Sequence, residues 1–167
     1  GASLYPYPVG IINEYAAITA DLVAGVSTTI TVDDTTGFNA GDEILIIQMT
    51  HASDAGQFEF KTINAVTPPF TLTLGGGDPV NNHRTVRAAE DRAQVVRVPN
   101  YPDFRVAGGH TVTGADYNET DGSGGIMIFK ANGTATNATS VPRLKNSTVN
   151  WPSNWPLRAP NTLNRTA

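Results

Sequence analysis

The chain contains no cysteine, and charged residues make up only 16% of its 167 residues. Without cysteine, neither a disulfide framework nor a cysteine-bound zinc site can form. No run of about 18 apolar residues occurs, so the sequence predicts no membrane-spanning helix. Helix-favouring Lys, Glu and Gln are also scarce. The chain has the length of one domain with one hydrophobic core, and that core must form without covalent cross-links.

Threonine, asparagine, glycine and proline take the place of the missing charges, with 16 Gly and 11 Pro. Threonine favours strands, whereas Gly, Asn and Pro favour the turns between them. The hydrophobic fraction of 40% is too high for a disordered chain. This composition predicts a folded domain of short strands joined by tight turns.

Charge is distributed unevenly along the chain. Residues 1–121 contain all 15 acidic and six of the 11 basic residues, for a net charge of 6 − 15 = −9. Residues 122–167 contain five basic residues and no acidic one. A negative body is poorly suited to nucleic acid, because phosphates repel it. The positive C-terminal segment suits docking on the body of the same or a neighbouring molecule.

Strand patterns recur along the chain with no helical period of useful length. We predict an all-β fold, a β-sandwich or partly open barrel of about ten short strands, with extended N- and C-terminal segments. The predicted division is an extended segment 1–14, a β-domain 15–140 and an extended Pro/Asn/Trp-rich tail 141–167. The clearest predicted strands are 27–32, 43–49, 57–66, 70–74, 93–98, 104–106, 110–113 and 125–131.

Two kinds of strand pattern stand out. Residues 12–22 alternate and predict a long, half-buried strand. Its apolar face comprises Ile12, Ala16, Ile18, Ala20 and Leu22, and its other face Asn13, Tyr15, Thr19 and Asp21. Residues 44–47 and 126–129 are instead continuously apolar, so both faces of these strands need to be covered.

Three further segments, 28–49, 93–101 and 121–134, read TTITVDDTTGFNAGDEILIIQM, AQVVRVPNY and DGSGGIMIFKANGT. Together they resemble the β-rich N-terminal module of large secreted and cell-surface, adhesin-like proteins of bacteria and archaea, over roughly residues 15–135. The resemblance implies an extracellular β-domain with no established activity, and hence no catalytic residues. In that family a glycine-rich stretch and further repeats usually follow the third segment. Here the Asn, Pro and Trp-rich tail follows, which favours a stand-alone subunit.

Five N-x-[ST] sequons all lie beyond residue 117, and they predict a secreted or cell-surface glycoprotein. Their asparagines are Asn118, Asn132, Asn137, Asn146 and Asn164. The alternative is that Asn and Thr are simply common in this chain. A start at Gly1-Ala2 without Met is typical of a processed mature product and also of a cloning scar.

Candidate metal and catalytic residues are few. Asp116, Asn118 and Asp121 resemble part of an oxygen-rich calcium loop, but no Glu closes it. The three histidines are isolated in sequence, and no G-x-S-x-G motif is present. A pair of catalytic carboxylates remains open on sequence alone. We predict a protein that is not an enzyme and needs no cofactor, with calcium as a possible ligand.

These observations favour a structural subunit of an extracellular filament or surface layer that assembles head to tail with copies of itself, by strand exchange or tail docking. Its interface is predicted to use a detached N-terminal strand and the two tail tryptophans. The residues concerned are Ile12, Ala16, Ile18, Leu22, Trp151 and Trp155. The alternative is a carbohydrate-binding or adhesin module of a secreted protein, with Trp151 and Trp155 or the tyrosines stacking on sugar rings. Its partners are then glycans or neighbouring cells.

Overall fold

The computed structural model describes residues 8–85, 91–133 and 135–137, the last three through their backbone alone. These residues include no helix, and so none long and apolar enough to cross a membrane. They form β1 (Gly10–Ile11), β2 (Tyr15–Ala17), β3 (Thr29–Thr31), β4 (Glu43–Thr50), β5 (Phe58–Thr67), β6 (Thr71–Gly75), β7 (Arg92–Arg97), β8 (Asn100–Tyr101), β9 (Phe104–Val106), β10 (Val112–Thr113), β11 (Lys130–Ala131) and β12 (Ala135–Asn137). The prediction of an all-β fold of short strands is confirmed.

Six of these strands form one antiparallel sheet in the order β2-β7-β4-β5-β6-β3. The sheet curls until its two edges meet, where Ile18 pairs with Val32. The N–H of Thr19 donates to the carbonyl of Thr31 at 2.9 Å. The N–H of Asp33 donates to the carbonyl of Ala17 at 3.0 Å. Of the two predicted architectures, the fold is therefore the barrel.

The barrel interior is built by every second residue of its strands, because successive side chains point to opposite faces. On β4, Ile44 and Ile46 point inward, and on β3 only Ile30 does so, between two exposed threonines. The interior cluster consists of Ala16, Ile18, Leu22, Ile30, Val32, Phe38, Ile44, Ile46, Ile63, Leu72, Leu74, Ala93 and Val95.

The outer face of the barrel is also apolar on β4 and β7, where Leu45 and Val96 lie side by side. Residues 124–129 cross this face as an extended segment, here called the covering segment. Its Ile126 and Ile128 pack against Leu45, Val96 and Val98. The expectation that residues 44–47 need cover on both faces is met within one chain.

Asn13 binds the backbone of the covering segment. Its Nδ2 donates to the carbonyl of Ile128 at 2.6 Å and to that of Arg97 at 2.9 Å. Its Oδ1 accepts the N–H of Ile128 at 3.2 Å. The carboxamide of Asn13 therefore stands where a neighbouring strand would offer one N–H and one carbonyl.

Tyr15 and Gln94 bind the covering segment at residues 126 and 124, which lie two and four residues before Ile128. The hydroxyl of Tyr15 donates to the carbonyl of Ile126 at 2.5 Å, and burial raises the pKa of Tyr15, which keeps this proton in place. Gln94 exchanges two hydrogen bonds with Gly124, at 2.8 and 2.9 Å. We call Asn13, Tyr15 and Gln94 the backbone clamp, since they hold every second residue from 124 to 128.

The clamp explains two differences from the sequence-based expectations. Residues 125–131 were expected to form a strand, but only β11 at 130–131 has a strand partner, because side chains bind the backbone before it. Asn13 was expected on the polar face of its strand, but it is only 3% exposed, because the covering segment lies over that face.

The remaining strands pair in parallel and form what we call the strand stack. β1 pairs with β10, β8 with β11 and β9 with β12. Phe104 and Phe129 lie stacked inside it, with ring centroids 3.8 Å apart. Val106, Val112 and Ile12 pack around them. β8 follows β7 after two residues, so the stack continues directly from the barrel.

We predict that Asn13→Ala destabilises the fold by about 3 kcal/mol, because it leaves three backbone groups without their hydrogen bonds, each worth about 1 kcal/mol. Urea unfolding measures the change in free energy. The control Asn64→Ala removes an exposed side chain and is expected to change stability by at most about 0.5 kcal/mol. Equal effects of the two substitutions would contradict the role assigned to Asn13.

Candidate functional site

The first candidate site is the outer edge of β1. The N–H groups of Gly10 and Ile12 donate to the carbonyls of Thr111 and Thr113 on the β10 side, at 2.7 and 3.4 Å. Because backbone groups alternate in direction along a strand, the N–H and carbonyl of Ile11 point away from β10. The Ile11 side chain is 57% exposed. This edge thus offers a backbone donor, a backbone acceptor and apolar surface.

The second candidate site is the edge of β12 that faces away from β9. β12 pairs with β9 at all three of its residues, from Ala135 opposite Phe104 to Asn137 opposite Val106. Among the described residues, no strand pairs with its other edge. β1 and β12 are the first and last strands of the stack in chain order, and we call their unpaired edges its two ends.

The third candidate site lies on the outer face of β5, where Phe58 and Phe60 are 56% and 42% exposed. Their rings meet edge to face, with centroids 6.1 Å apart. The ammonium group of Lys130 lies 5.3 Å from the centre of the Phe60 ring and 2.5 Å from the Glu43 carboxylate. We call these four residues the phenylalanine patch.

The predicted calcium residues lie in the loop before the covering segment. Nδ2 of Asn118 donates to Asp121 at 2.7 Å, and Oδ1 of Asn118 accepts the N–H of Thr120 at 3.0 Å. Asp121 also accepts the N–H and the hydroxyl of Ser123. These oxygens already bind donors within the loop, and Asp116 is exposed. Calcium binding here stays a prediction.

Gly124 accounts for the shape of this loop. It has a φ of +83°, and a Cβ atom at this position would lie 2.3 Å from the carbonyl oxygen of Asp116. Only glycine fits both the dihedral angle and the close approach. The loop can therefore turn sharply and deliver Gly124 to Gln94 of the clamp.

Two of the five predicted glycosylation residues have described side chains, and both Asn118 and Asn132 are exposed. Asn137 lies in β12, where the structure describes the backbone only. Asn146 and Asn164 lie outside the described residues. Glycosylation at these positions stays a prediction.

The residues predicted for a subunit interface are placed differently. Ala16, Ile18 and Leu22 are at most 4% exposed inside the barrel, and Ile12 packs into the strand stack. β2 pairs with β7 of its own chain, so the strand is not detached within this single molecule, and a role of these residues at a subunit interface stays a prediction. The alternation of residues 12–22 reflects a strand that completes its own barrel. Trp151 and Trp155 lie outside the described residues.

Buried polar groups also gather at one end of the barrel. His83 is fully buried, with Nε2 3.2 Å from a Glu59 carboxylate oxygen, while its Nδ1 has no partner. Glu59 further accepts the N–H groups of Val80 and Asn81 at 3.0 and 3.1 Å. Burial lowers the pKa of His83, although Glu59 opposes this shift. The neutral imidazole ties residues 80–83 to β5, which is a structural role.

No group of three or more metal-binding side chains occurs in the parts of the chain that the structure describes. His51 pairs with Asp54 at 3.2 Å and lies 4.0 Å from Asp91, whereas His110 is exposed.

The sequence analysis missed the phenylalanine patch and the edge at Ile11. The signal for the patch was present, since Phe58 and Phe60 take alternate positions in a predicted strand and share one face. That this face is the outer one depends on which side of β5 the barrel encloses. Sequence alternation does not tell the two sides apart when both carry apolar residues.

Comparisons with known proteins give little. No protein-family model and no curated protein matches the sequence. One solved structure with similarity is the Gp54 tailspike of Acinetobacter baumannii bacteriophage AP22, in complex with A. baumannii capsular saccharide. The identity is 16%, the TM-score 0.41, and the match covers 57% of this chain but only 17% of the tailspike chain. At so low a TM-score, no property of the tailspike is transferred to this chain.

The burial of His83 generates a prediction on pH. The pKa of His83 is lower in the folded state than its value of about 6.5 in the unfolded state, so the unfolded chain binds a proton more readily. The free energy of unfolding therefore falls as the pH drops below about 6.5. We expect the free energy of urea unfolding to decrease from pH 7 to pH 5.5. His83→Gln should reduce this decrease, whereas His110→Gln, at an exposed position, should not. An unchanged pH dependence in His83→Gln would contradict the prediction.

The two described sequons differ in how accessible their acceptor nitrogen is. In Asn118 this nitrogen donates to Asp121, and attachment of a glycan gives up part of that bonding. Asn132 is exposed directly after β11. On expression in a glycosylating host, we expect higher occupancy at Asn132 than at Asn118, measured by peptide mass spectrometry. Asn132→Gln serves as the control for peptide assignment, and higher occupancy at Asn118 would refute this ranking.

Proposed function

We propose that this chain is a non-catalytic structural subunit of an extracellular assembly, which joins copies of itself head to tail through the two ends of its strand stack. In this arrangement β12 of one molecule pairs in parallel with the outer edge of β1 of the next. The barrel serves as the rigid body of each subunit. The exposed sequon asparagines are in keeping with an extracellular location.

The parallel pairing of the stack is the observation that carries this proposal. Lys130 pairs with Asn100 and Ala135 pairs with Phe104, at offsets of 130 − 100 = 30 and 135 − 104 = 31 residues. β11 and β12 thus form one layer beside β8 and β9, whereas β1 joins β10 at an offset of 112 − 10 = 102 residues. A stack of parallel strands adds further layers in the same direction, and its two ends differ. Unlike ends give heterologous contacts, which form open filaments when the rotation between copies does not close.

The edge of β1 fits the receiving role. Ile11 offers a backbone N–H and carbonyl that point away from β10, next to the exposed side chains of Ile11 and Val9, which is 53% exposed. Strand addition at such an edge gains main-chain hydrogen bonds together with burial of apolar side chains. In the absence of a partner strand, this edge makes no main-chain hydrogen bonds to a strand, and its apolar side chains stay exposed to water.

Ile11→Pro tests this proposal. Proline removes the Ile11 N–H that points to the outer edge but leaves the bonds that Gly10 and Ile12 make to β10. We expect wild-type protein to assemble with rising concentration in sedimentation velocity and to form filaments in negative-stain electron microscopy. Ile11→Pro should weaken assembly at least about tenfold, as expected for the loss of a hydrogen bond and of strand geometry.

The matched control is Ala40→Pro, at an exposed position outside the stack that is the first central residue of the turn from Asn39 to Asp42, where proline is favoured. It should fold, as judged by circular dichroism, and assemble like the wild type. A wild-type chain that stays monomeric at all accessible concentrations, or an Ile11→Pro variant that assembles normally, refutes the proposal.

A further inference from the structure

In the part of the chain that the structure describes, the two phenylalanine rings of the patch are only half covered, although Glu43 and Lys130 beside them form an ion pair between β4 and β11. The covering segment buries the outer face of β4 and β7, leaving Leu45 at 5% and Val96 at 0% exposure. On the next strand, β5, Phe58 and Phe60 point to the same outer face but keep about half of their surface in contact with water. The fold therefore gains little from phenylalanine at these two positions.

The neighbouring strands show what the fold itself requires on this face. On β3 the outward residues are Thr29 and Thr31, which pair with Thr73 and Thr71 of β6. Threonine satisfies strand propensity and presents a hydroxyl to water. Two exposed phenylalanines in place of such residues indicate a ligand that needs apolar, aromatic surface.

The size of the patch favours a ligand with a small footprint. At about 200 Å² for a phenylalanine side chain, exposures of 56% and 42% leave roughly 200 Å² of aromatic surface. A stable protein interface buries about 800 Å² on each partner. The patch is thus too small to hold a protein partner by itself, but its area is close to that of one or two sugar rings.

The chemistry at the rim matches the same ligand. The carboxylate of Glu43 can accept hydrogen bonds from hydroxyl groups, and the ammonium of Lys130 can donate to them. Thr62, exposed two residues after Phe60 along β5, adds a further hydroxyl. An aromatic surface with charged donors and acceptors beside it complements a molecule that is apolar on its ring face and polar around its edge. A pyranose has this character.

We propose that the phenylalanine patch binds a saccharide, with the C–H face of a pyranose packed on the Phe58 ring and its hydroxyls bonded to Glu43 and Lys130. The C–H groups carry slight positive charge and are attracted to the negative face of an aromatic ring. The site is formed by the outer face of β4 and β5 and by Lys130 of β11, and it includes neither Ile11 nor β12, so it does not depend on the head-to-tail assembly proposed above.

The test is a titration of the full chain with cellohexaose, chitohexaose, mannohexaose and xylohexaose, followed by NMR chemical shifts of the backbone amides. We expect at least one of these sugars to shift the signals of residues 43, 58–60 and 130, with a Kd of about 1 mM or tighter. Phe58→Ala should weaken this binding at least about tenfold. Because Phe58 is an exposed residue, the variant is expected to fold.

Phe70→Ala is the matched control, since Phe70 is 52% exposed in the turn between β5 and β6, outside the patch. It should bind the sugar like the wild type. The proposal is overturned if none of the four sugars shifts these signals, if Phe58→Ala binds as well as the wild type, or if Phe58→Ala reduces self-association while no sugar binds. The last outcome would assign the patch to contact between copies. Sugar binding by Ile11→Pro at wild-type affinity would show that the two proposals stand apart.

Discussion

The fold depends on how the covering segment is held against the barrel. β4 and β7 are apolar on both faces, so their outer face must be buried, but any chain laid over it brings backbone N–H and carbonyl groups that need partners. Asn13, Tyr15 and Gln94 supply those partners at residues 128, 126 and 124. With these bonds made, Ile126 and Ile128 can fill the apolar surface between them. Side chains thus replace a missing strand.

The same clamp sets the position of the strand stack. Once Ile128 is fixed by Asn13, the next residue, Phe129, reaches Phe104, and the following two residues pair with β8. β1, which ends two residues before Asn13, pairs with β10. The clamp is therefore the point at which the barrel, the covering segment and the stack meet. A substitution in the clamp is expected to disturb the packing of all three.

Local sequence patterns predicted the class of fold and most strands, because the alternation of apolar and polar residues lies within the sequence of each strand. The segment 104–106 was predicted with the bounds that β9 has. The patterns could not predict which segments pair in parallel, since the register between Phe104 and Ala135 depends on the route of the chain between them. Asn13 shows the same limit, because a polar residue among apolar ones looks exposed until the segment 115 residues away that covers it is known.

The closure of the barrel decides where strand addition can occur. A sheet of six strands ordinarily has two edges with unpaired backbone groups, and natural proteins protect such edges. Here the edges meet at Ile18 and Val32, so the barrel offers no edge at that point. Strand exchange through residues 12–22 stays a prediction; within this one chain, β2 pairs with β7 and Ile18 with Val32. Within the described residues, each strand of the stack pairs along one edge only, and the edges of β1 and β12 are among those still open to a new strand. The barrel sheet is protected where its edges meet, whereas the strands of the stack keep open edges. Strand addition is therefore expected at the stack and not at the barrel.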